Sequence, residues 1–212
     1  MSILTRVERL GVIHYRQSLQ YQYKLSRDIQ NGDINRILIC QHPPVYTLGR
    51  RQKGLQTPQT QGAETILTNR GGLSTFHGPG QLVCYPILNL TALRNGKHIG
   101  GIRWYIKCLE NAVINTCREF DVVANTNEHV GVWTGGEKIC SIGVHIQRGV
   151  TIHGLALNCS TDLSWFDSIE PCGIVDCKVT SLSKVCERIV RVEDVVDILL
   201  ENLRALLGVK LC

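Results

Sequence analysis

The sequence is 212 residues long, 43% of its residues are hydrophobic, and its net charge is +5. This length and composition predict a globular chain with a sizeable core, folded over residues 1–212 as one domain or as one domain with a small extension. No apolar run approaches the length of a membrane span, so a membrane protein is excluded. Scattered Lys and Arg without interleaved aromatic residues argue against nucleic acid, whereas the mild positive charge suits an acidic protein partner.

The ten cysteines predict reduced thiols rather than a disulfide framework. The chain is large for a disulfide scaffold, it lacks an apolar signal segment, and its cysteines are irregularly spaced. Neither Cys172 with Cys177 nor Cys108 with Cys117 has the spacing of a zinc site. No metal is therefore expected.

The first residues are basic, which resembles a transit peptide in charge only, and their pattern is that of folded structure. A short strand is predicted over 7–13 and a helix over 15–29. The start of the chain is therefore expected to belong to the fold, and any cleaved leader is expected to be short or to lie outside this sequence.

Residues 36–40 predict a strand that ends at Pro43 and Pro44, because proline has no N–H to give to a sheet. A long polar loop is predicted over 45–62, and a further strand over 64–68.

A glycine-rich segment around His77 follows, over residues 70–86. Its adjacent glycines and its His-Gly-Pro-Gly step leave the backbone able to approach a ligand closely. We expect a loop that presents polar groups at the edge of a sheet, and then a buried strand over 82–90.

The second half of the chain predicts a central helix over 102–120 and a closing helix over 192–207. Between them, alternating residues predict a hairpin with strands over 139–146 and 150–158. This mixture lacks regular βαβ alternation, so it predicts an α+β fold with a largely antiparallel or mixed sheet.

Two residues are candidates for nucleophilic chemistry. Cys172 lies between a proline and a glycine, which indicates a presented thiol, although a buried, inert cysteine is the commoner case. A reactive thiol needs a cation or base nearby. Lys138, on an apolar strand, could serve as an ammonium or as a neutral base. Alternatively, Lys138 has no chemical role, and its side chain snorkels from the end of the strand to bring the charged group into solvent.

Several polar residues of the glycine-rich motifs have two interpretations each. His77 and His153 could pair with a cysteine or support their loops. Ser74 and Thr75 could bind a carbonyl group of a ligand or satisfy the turn itself. Three aromatic residues are predicted to lie in the core: Trp133, Trp165 and Phe166.

Together these residues resemble the lipoyl(octanoyl) transferases, and the match covers almost the whole chain. Four ordered motifs carry it, at 70–82 (Arg-Gly-Gly-Leu-Ser-Thr-Phe-His-Gly-Pro-Gly-Gln-Leu), 131–143, 153–163 and 171–182. The resemblance implies the biotin/lipoate-ligase type of fold, with a mixed or antiparallel sheet packed with helices. It implies transfer of an octanoyl group from octanoyl acyl carrier protein to a lysine of lipoyl domains, such as the glycine cleavage H protein and 2-oxoacid dehydrogenase E2 subunits.

The resemblance also implies roles for particular residues. Cys172 would carry the acyl group as a thioester, and Lys138 would lower the pKa of that cysteine. No cofactor is implied. The motif around Phe76 is closer to the mitochondrial animal enzymes than to the bacterial ones, which implies the mitochondrial matrix. The residues implied for the octanoyl pocket are Arg70, Gly71, Gly72, Leu73, Ser74, Thr75, Phe76, His77, Ser141, Ile142, Gly143, Gly154, Leu155 and Ala156.

Three alternatives stay open. An ATP-dependent lipoate or biotin ligase would bind nucleotide, although the sequence has no phosphate-binding P-loop motif. A lipoyl amidotransferase would differ only in its donor, and a non-catalytic lipoyl-domain binding module would need no reactive cysteine. The chain departs from the family at Cys177, where a glycine-rich step is usual. A regulatory disulfide between Cys172 and Cys177 is therefore a hypothesis.

Overall fold

A mixed seven-stranded β-sheet forms the centre of the molecule. The computed structural model describes residues 3–53, 62–93, 101–170 and 177–212. The first three strands of the sheet pair in parallel and the others antiparallel. In spatial order the strands are β10 (Val209–Leu211), β1 (Ile3–Val12), β2 (Asn35–Gln41), β6 (Gln81–Ile87), β9 (Val150–Asn158), β8 (Glu137–Gln147) and β7 (Val132–Thr134).

A second, three-stranded sheet carries the glycine-rich segment. Its strands are β4 (Glu64–Leu67), β3 (Val45–Leu48) and β5 (Ser74–His77). β3 and β5 are buried along their whole length. The N–H of Gly71 donates to the carbonyl of Val144 at 3.0 Å, which joins the segment before β5 to β8 of the large sheet.

Helices cover both faces of the large sheet. Along β2, Ile37 and Ile39 pack on the side of α3 (Gly101–Arg118) and α5 (Val192–Leu207), whereas Leu38 and Cys40 pack on the side of α1 (Tyr15–Gln30). This alternation is the period of two that a strand imposes on its side chains. None of the helices in the described ranges is long and apolar enough to cross a membrane. The helices are α1 (Tyr15–Gln30), α2 (Leu90–Leu93), α3 (Gly101–Arg118), α4 (Leu182–Val185) and α5 (Val192–Leu207).

The longest predicted elements are confirmed, as is the α+β fold with a mixed sheet. The closing helix has its predicted bounds, with an N-terminal bond from the N–H of Arg191 to the carboxylate of Asp194 at 2.8 Å. The predicted hairpin is β8 and β9, and its turn residues Arg148 and Gly149 have φ angles of 49° and 82°. Positive φ at both central residues is typical of the tightest hairpin turns. The start of the chain belongs to the fold, as β1 and α1.

Two segments predicted as loops contain strands. The predicted loop at 45–62 begins with β3, and the predicted loop at the start of 70–86 contains β5. Both strands have only four residues and are buried on both sides. Because a short strand buried on both faces does not alternate between apolar and polar residues, periodicity alone does not identify it. Residues 54–61 of the first loop lie outside the described residues.

The strand predicted over 82–90 ends early, at Ile87. The side chain of Asn89 accepts the N–H groups of Thr91 and Ala92 at 3.0 and 3.1 Å. This is the bonding of a helix N-cap, so the chain turns into α2.

Nine cysteines in the described ranges carry free thiols. The six of these that lie in the interior are Cys40, Cys84, Cys108, Cys117, Cys140 and Cys159.

Candidate active site

A cleft of about 420 Å³, counting space open to solvent, lies between the small sheet and strands β8 and β9. All of the predicted pocket residues line it except Leu73, Ser74 and Phe76. The lining residues are Tyr15, Arg70, Gly71, Gly72, Thr75, His77, Tyr85, Ser141, Ile142, Gly143, His153, Gly154, Leu155 and Ala156.

Strand β5 decides which residues of its motif reach the cleft. Thr75 and His77 line it, and Thr75 donates to the hydroxyl of Ser141 across it at 3.4 Å. Ser74 and Phe76 alternate with them and lie on the other side, because successive side chains of a strand point to opposite faces. There Phe76 stacks on partly buried Trp165, with ring centroids 5.1 Å apart. Phe166 and Trp133 are buried, as predicted.

Arg70 supports the glycine-rich turn from beneath. Its buried guanidinium donates to the carbonyl of Thr47 at 2.5 Å, to the hydroxyl of Thr47 at 2.8 Å and to the carbonyl of Gly71 at 3.0 Å. Gly143 leaves room for this crossing, since a Cβ there would lie 3.1 Å from both the Arg70 side chain and the Gly71 carbonyl. The turn is thereby held against β8.

The cleft contains buried, neutral histidines. Burial lowers the pKa of His153 to about 3 and holds that of His77 well below its ordinary value. His42, behind the cleft, has its pKa lowered to about 4 by burial. Its Nδ1 bonds to the Ile13 carbonyl at 2.6 Å, so Nδ1 carries the proton and Nε2 accepts from Tyr85 at 2.8 Å.

Hydrogen bonds hold both the ring and the backbone of His153 in place at the cleft. Its Nε2 lies 2.8 Å from the side-chain oxygen of Asn69, and its backbone N–H donates to Gln22 at 2.9 Å. Its φ of 64° is unusual for a residue other than glycine, and these bonds hold it there.

The pocket prediction missed Tyr15, Tyr85 and His153, which also line the cleft. Tyr85 stands in an apolar run and has the pattern of a core residue. The available signal was its hydroxyl, because a buried tyrosine needs a hydrogen-bond partner. His42 supplies that partner.

Lys138 is buried, with 1% of its surface exposed, so the interpretation as a snorkelling side chain is wrong. Its Nζ lies 4.9 Å from the ring centroid of Trp133. The face of an indole ring attracts a cation, and the attraction strengthens when water is excluded. The position is therefore suited to an ammonium group.

Two backbone features place Lys138 there. The pairing of β7 with β8 changes from Val132 opposite Cys140 to Trp133 opposite Lys138, so β8 has a bulge, which redirects side chains. Gly131 has a φ of 133°, and a Cβ on it would lie 2.9 Å from Cε of Lys138 and 2.7 Å from the Cys140 carbonyl. Only glycine combines that conformation with that space.

Cys172 lies outside the described residues, but the chain shortly after it is tied to Lys138. The N–H of Lys138 donates to the carbonyl of Lys178 at 2.8 Å, and its carbonyl accepts the N–H of Thr180 at 2.9 Å. The sequence that follows the Cys172 motif is thus held on the backbone of Lys138. The hypothesis of a disulfide with Cys177 stays a prediction.

A second cavity of about 790 Å³, counting open solvent, shares Gly71, Gly72, Ile142 and Gly143 with the cleft. Unlike the cleft, it has an exposed arginine, Arg51, in its lining. Its other lining residues are Ile102, Ile106, Glu128, His129, Val130 and Val144.

Solved structures define the class to which this fold belongs. It superposes on a putative lipoate protein ligase from T. acidophilum with a TM-score of 0.79 at 17% identity, covering 99% of this chain and 88% of that one. It superposes on a biotin protein ligase from Aquifex aeolicus with a TM-score of 0.60 at 15% identity, covering 96% and 70%. The fold is that of the lipoate and biotin protein ligases.

The sequence gives the family more narrowly. Residues 14–204 match the lipoyl protein ligase A/B catalytic domain. The chain is 48% identical over 200 residues to the mitochondrial octanoyl-acyl-carrier-protein:protein N-octanoyltransferase of Danio rerio, covering 91% of this chain and 87% of that protein. This chain therefore belongs to the octanoyltransferases of the lipoyl protein ligase A/B family, and it is an acyltransferase. The relative's name supports a mitochondrial location.

Proposed function

We propose that this chain transfers an octanoyl group from octanoyl acyl carrier protein, through a thioester on Cys172, to a lysine of a lipoyl domain. Residues 1–212 act as one catalytic domain. The observation that carries the proposal is buried Lys138, whose backbone holds the chain shortly after Cys172. A buried lysine whose backbone holds the chain that follows a cysteine motif suits acyl transfer through a thiolate.

Two exchanges complete the reaction. First, the Cys172 thiolate attacks the carbonyl carbon of the donor thioester, forming a new C–S bond while the carrier's C–S bond breaks. The carrier leaves as a thiol, taking up the proton that Cys172 gave up. Then the amine of the acceptor lysine attacks the carbonyl carbon of the enzyme thioester. The amide C–N bond forms as the C–S bond to Cys172 breaks, and the Cys172 thiolate that leaves takes up the proton lost by the amine.

Lys138 stabilises the thiolate as an ammonium group in this proposal. The ring face of Trp133 supports the cationic form, because Nζ lies 4.9 Å from its centroid. A positive charge near a thiol lowers the pKa of that thiol, and the thiolate is the nucleophile.

The octanoyl chain occupies the cleft between the small sheet and β8. Its histidines are neutral and its inner wall contains Leu155 and Ala156, which suits an uncharged acyl chain. The binding residues are Arg70, Gly71, Gly72, Thr75, His77, Ser141, Ile142, Gly143, Gly154, Leu155 and Ala156. Leu73, Ser74 and Phe76 do not line the cleft, and they influence its shape only through the backbone of the glycine-rich segment.

The second cavity receives the part of the donor beyond the acyl group. It shares Gly71 and Gly72 with the cleft, so a thioester donor can extend from one into the other. Arg50, Arg51 and Lys53 are exposed at this side, and the N–H of Arg51 bonds to the Gly72 carbonyl at 3.3 Å. Positive charge here complements an acidic carrier protein.

The acceptors follow from the same chemistry. We assign lipoyl domains as the acceptor class, with the glycine cleavage H protein and 2-oxoacid dehydrogenase E2 subunits as its members. The mitochondrial matrix is the corresponding location.

A transfer assay without nucleotide tests the proposal. The chain is mixed with octanoyl acyl carrier protein and an unmodified lipoyl domain, and the acceptor lysine is examined by mass spectrometry. We expect an octanoyl amide from the native chain and none from Cys172→Ser. Product only from free octanoate with ATP, and indifference to Cys172→Ser, would indicate a ligase. Product only from a lipoylated donor domain would indicate an amidotransferase.

A further inference from the structure

Two buried amides of the sequence motifs, Gln81 and Asn158, have no part in the transfer described above. They are 1% and 3% exposed, and they lie opposite each other where β6 begins and β9 ends. Because buried amides need partners, the direction of each of their hydrogen bonds can be assigned.

On one side, Gln81 reaches the acyl cleft through His77. The Gln81 side-chain oxygen lies 2.8 Å from Nδ1 of His77, and an amide oxygen only accepts, so Nδ1 carries the proton. Nε2 of His77 then accepts from the Thr47 hydroxyl at 3.3 Å. Gln81 therefore fixes both the tautomer and the orientation of a ring in the cleft wall.

On the other side, Asn158 reaches the chain that follows Cys172. The Gln81 amide donates to Oδ1 of Asn158 at 2.9 Å, and Nδ2 of Asn158 donates to the Thr180 carbonyl at 2.9 Å. The N–H of Thr180 in turn donates to the carbonyl of Lys138 at 2.9 Å. One directed series of bonds thus runs from the cleft wall to Lys138.

We propose that Gln81 and Asn158 are positioning residues, which set the position of Lys138, and of the chain that follows Cys172, relative to the acyl cleft. The inference rests on the proposed function. Within the described part of the chain, the side chains of the two amides bond to His77, Phe76, each other and Thr180, and not directly to Lys138. Both act through Thr180, whose backbone joins Lys138 to the segment after Cys172. Since a thiolate must meet the thioester carbonyl at near-contact distance, a shift of about 1 Å in this support costs about 100-fold in rate.

Asn35 provides a matched control. It is also 3% exposed, and its Oδ1 accepts the N–H of Asn89 at 2.9 Å. It pairs with Thr5 at the start of β2, at the opposite end of the sheet from Gln81. Replacing Asn35 therefore removes a buried amide that does not belong to the series of hydrogen bonds leading to Lys138.

The experiment compares Asn158→Leu, Gln81→Met and Asn35→Leu with the native chain. Single-turnover acylation of Cys172 is followed by intact mass over a range of octanoyl acyl carrier protein concentrations, and melting temperature is recorded for each protein. Gln81→Met keeps the side-chain length, so it serves if Asn158→Leu fails to fold.

We expect the maximal rate to fall about 100-fold in Asn158→Leu and Gln81→Met, with the half-saturating donor concentration within about twofold of native. Asn35→Leu should lose stability and keep its rate.

The outcomes separate this inference from the proposed function. Native-like maximal rates in folded Asn158→Leu or Gln81→Met contradict the positioning role alone. An equal loss of rate in Asn35→Leu also contradicts it, because the effect would then follow from lost stability. A native chain that takes up no acyl group contradicts the proposed function, and the positioning role falls with it.

Discussion

Nζ of Lys138 lies 4.9 Å from the ring centroid of Trp133, inside the protein. A lysine in this position is costly to bury, so it does not serve stability. Its ring contact and its backbone bonds to residues 178 and 180 instead place a cation beside the chain that follows Cys172.

Lys138→Met should reduce acylation of Cys172 by about 100-fold, because the thiolate loses its neighbouring charge. Its melting temperature should stay near or above that of the native chain, since burying a charge opposes folding. Single-turnover mass spectrometry and calorimetry measure the two effects. Lys138→Arg separates the possible roles: a retained rate indicates an electrostatic one, and a lost rate in a folded protein indicates proton transfer or strict geometry.

Gly131→Ala should displace Lys138, because the new Cβ would lie 2.9 Å from Cε of that lysine. We expect a destabilisation of about 2 kcal/mol and a loss of acylation. Gly135→Ala is the matched control, since Gly135 also has a positive φ, of 57°, but has no atom within 4 Å of its Cβ position. Equal losses of activity in the two variants would mean that backbone strain, and not Lys138, is responsible.

Buried histidines should make the fold sensitive to mild acid. The native pKa of His153 is lowered to about 3 by burial, whereas an unfolded histidine titrates near about 6.5. Between these values the unfolded chain binds a proton that the native chain does not, so stability falls as the pH falls. From about pH 6.5 to about pH 5 one such histidine contributes a loss of about 1.5 kcal/mol.

Urea unfolding of the native chain and of His153→Asn at both pH values measures this contribution. Asparagine tolerates the positive φ of 64° at this position. The variant should lose about 1.5 kcal/mol less than the native chain over the interval. An identical pH dependence in both proteins would show that His153 is not buried in its neutral form.

Arg51→Glu should weaken the encounter with the carrier-borne donor, because Arg51 is exposed at the second cavity. We expect kcat/KM for octanoyl acyl carrier protein to fall about tenfold at low salt, with a smaller effect at high salt. A small octanoyl thioester without the carrier should react normally. Lys210→Glu, on β10 at the far edge of the sheet, is the control. Equal losses with both donors would place Arg51 in the acyl site instead.

The sequence predicted the elements whose signals are local. Helix α5 shows a periodic apolar face along its whole length, and the β8–β9 hairpin alternates over enough residues to exclude a helix. The four-residue strands β3 and β5 depend on partners that lie far apart in sequence and are buried on both faces. Their formation is decided by tertiary pairing, which local patterns do not contain.

The same limit applies to the site. The motifs indicated nearly all of the cleft residues, but they did not indicate that Ser74 and Phe76 point away from it, since that depends on β5 being a strand. The burial of Lys138 could not be predicted from the sequence either, because it follows from the bulge in β8 and from the close approach of Gly131. Tyr15 comes from a helix about sixty residues before the nearest glycine motif, which only the fold brings to the cleft.

The intact mass of the chain after mixing with octanoyl acyl carrier protein, without nucleotide, tests the central claim most directly. We predict a gain of one octanoyl group that hydroxylamine removes, that maps to Cys172 and that is absent from Cys172→Ser. An unmodified native chain in the presence of verified octanoyl donor would contradict transfer through a cysteine thioester.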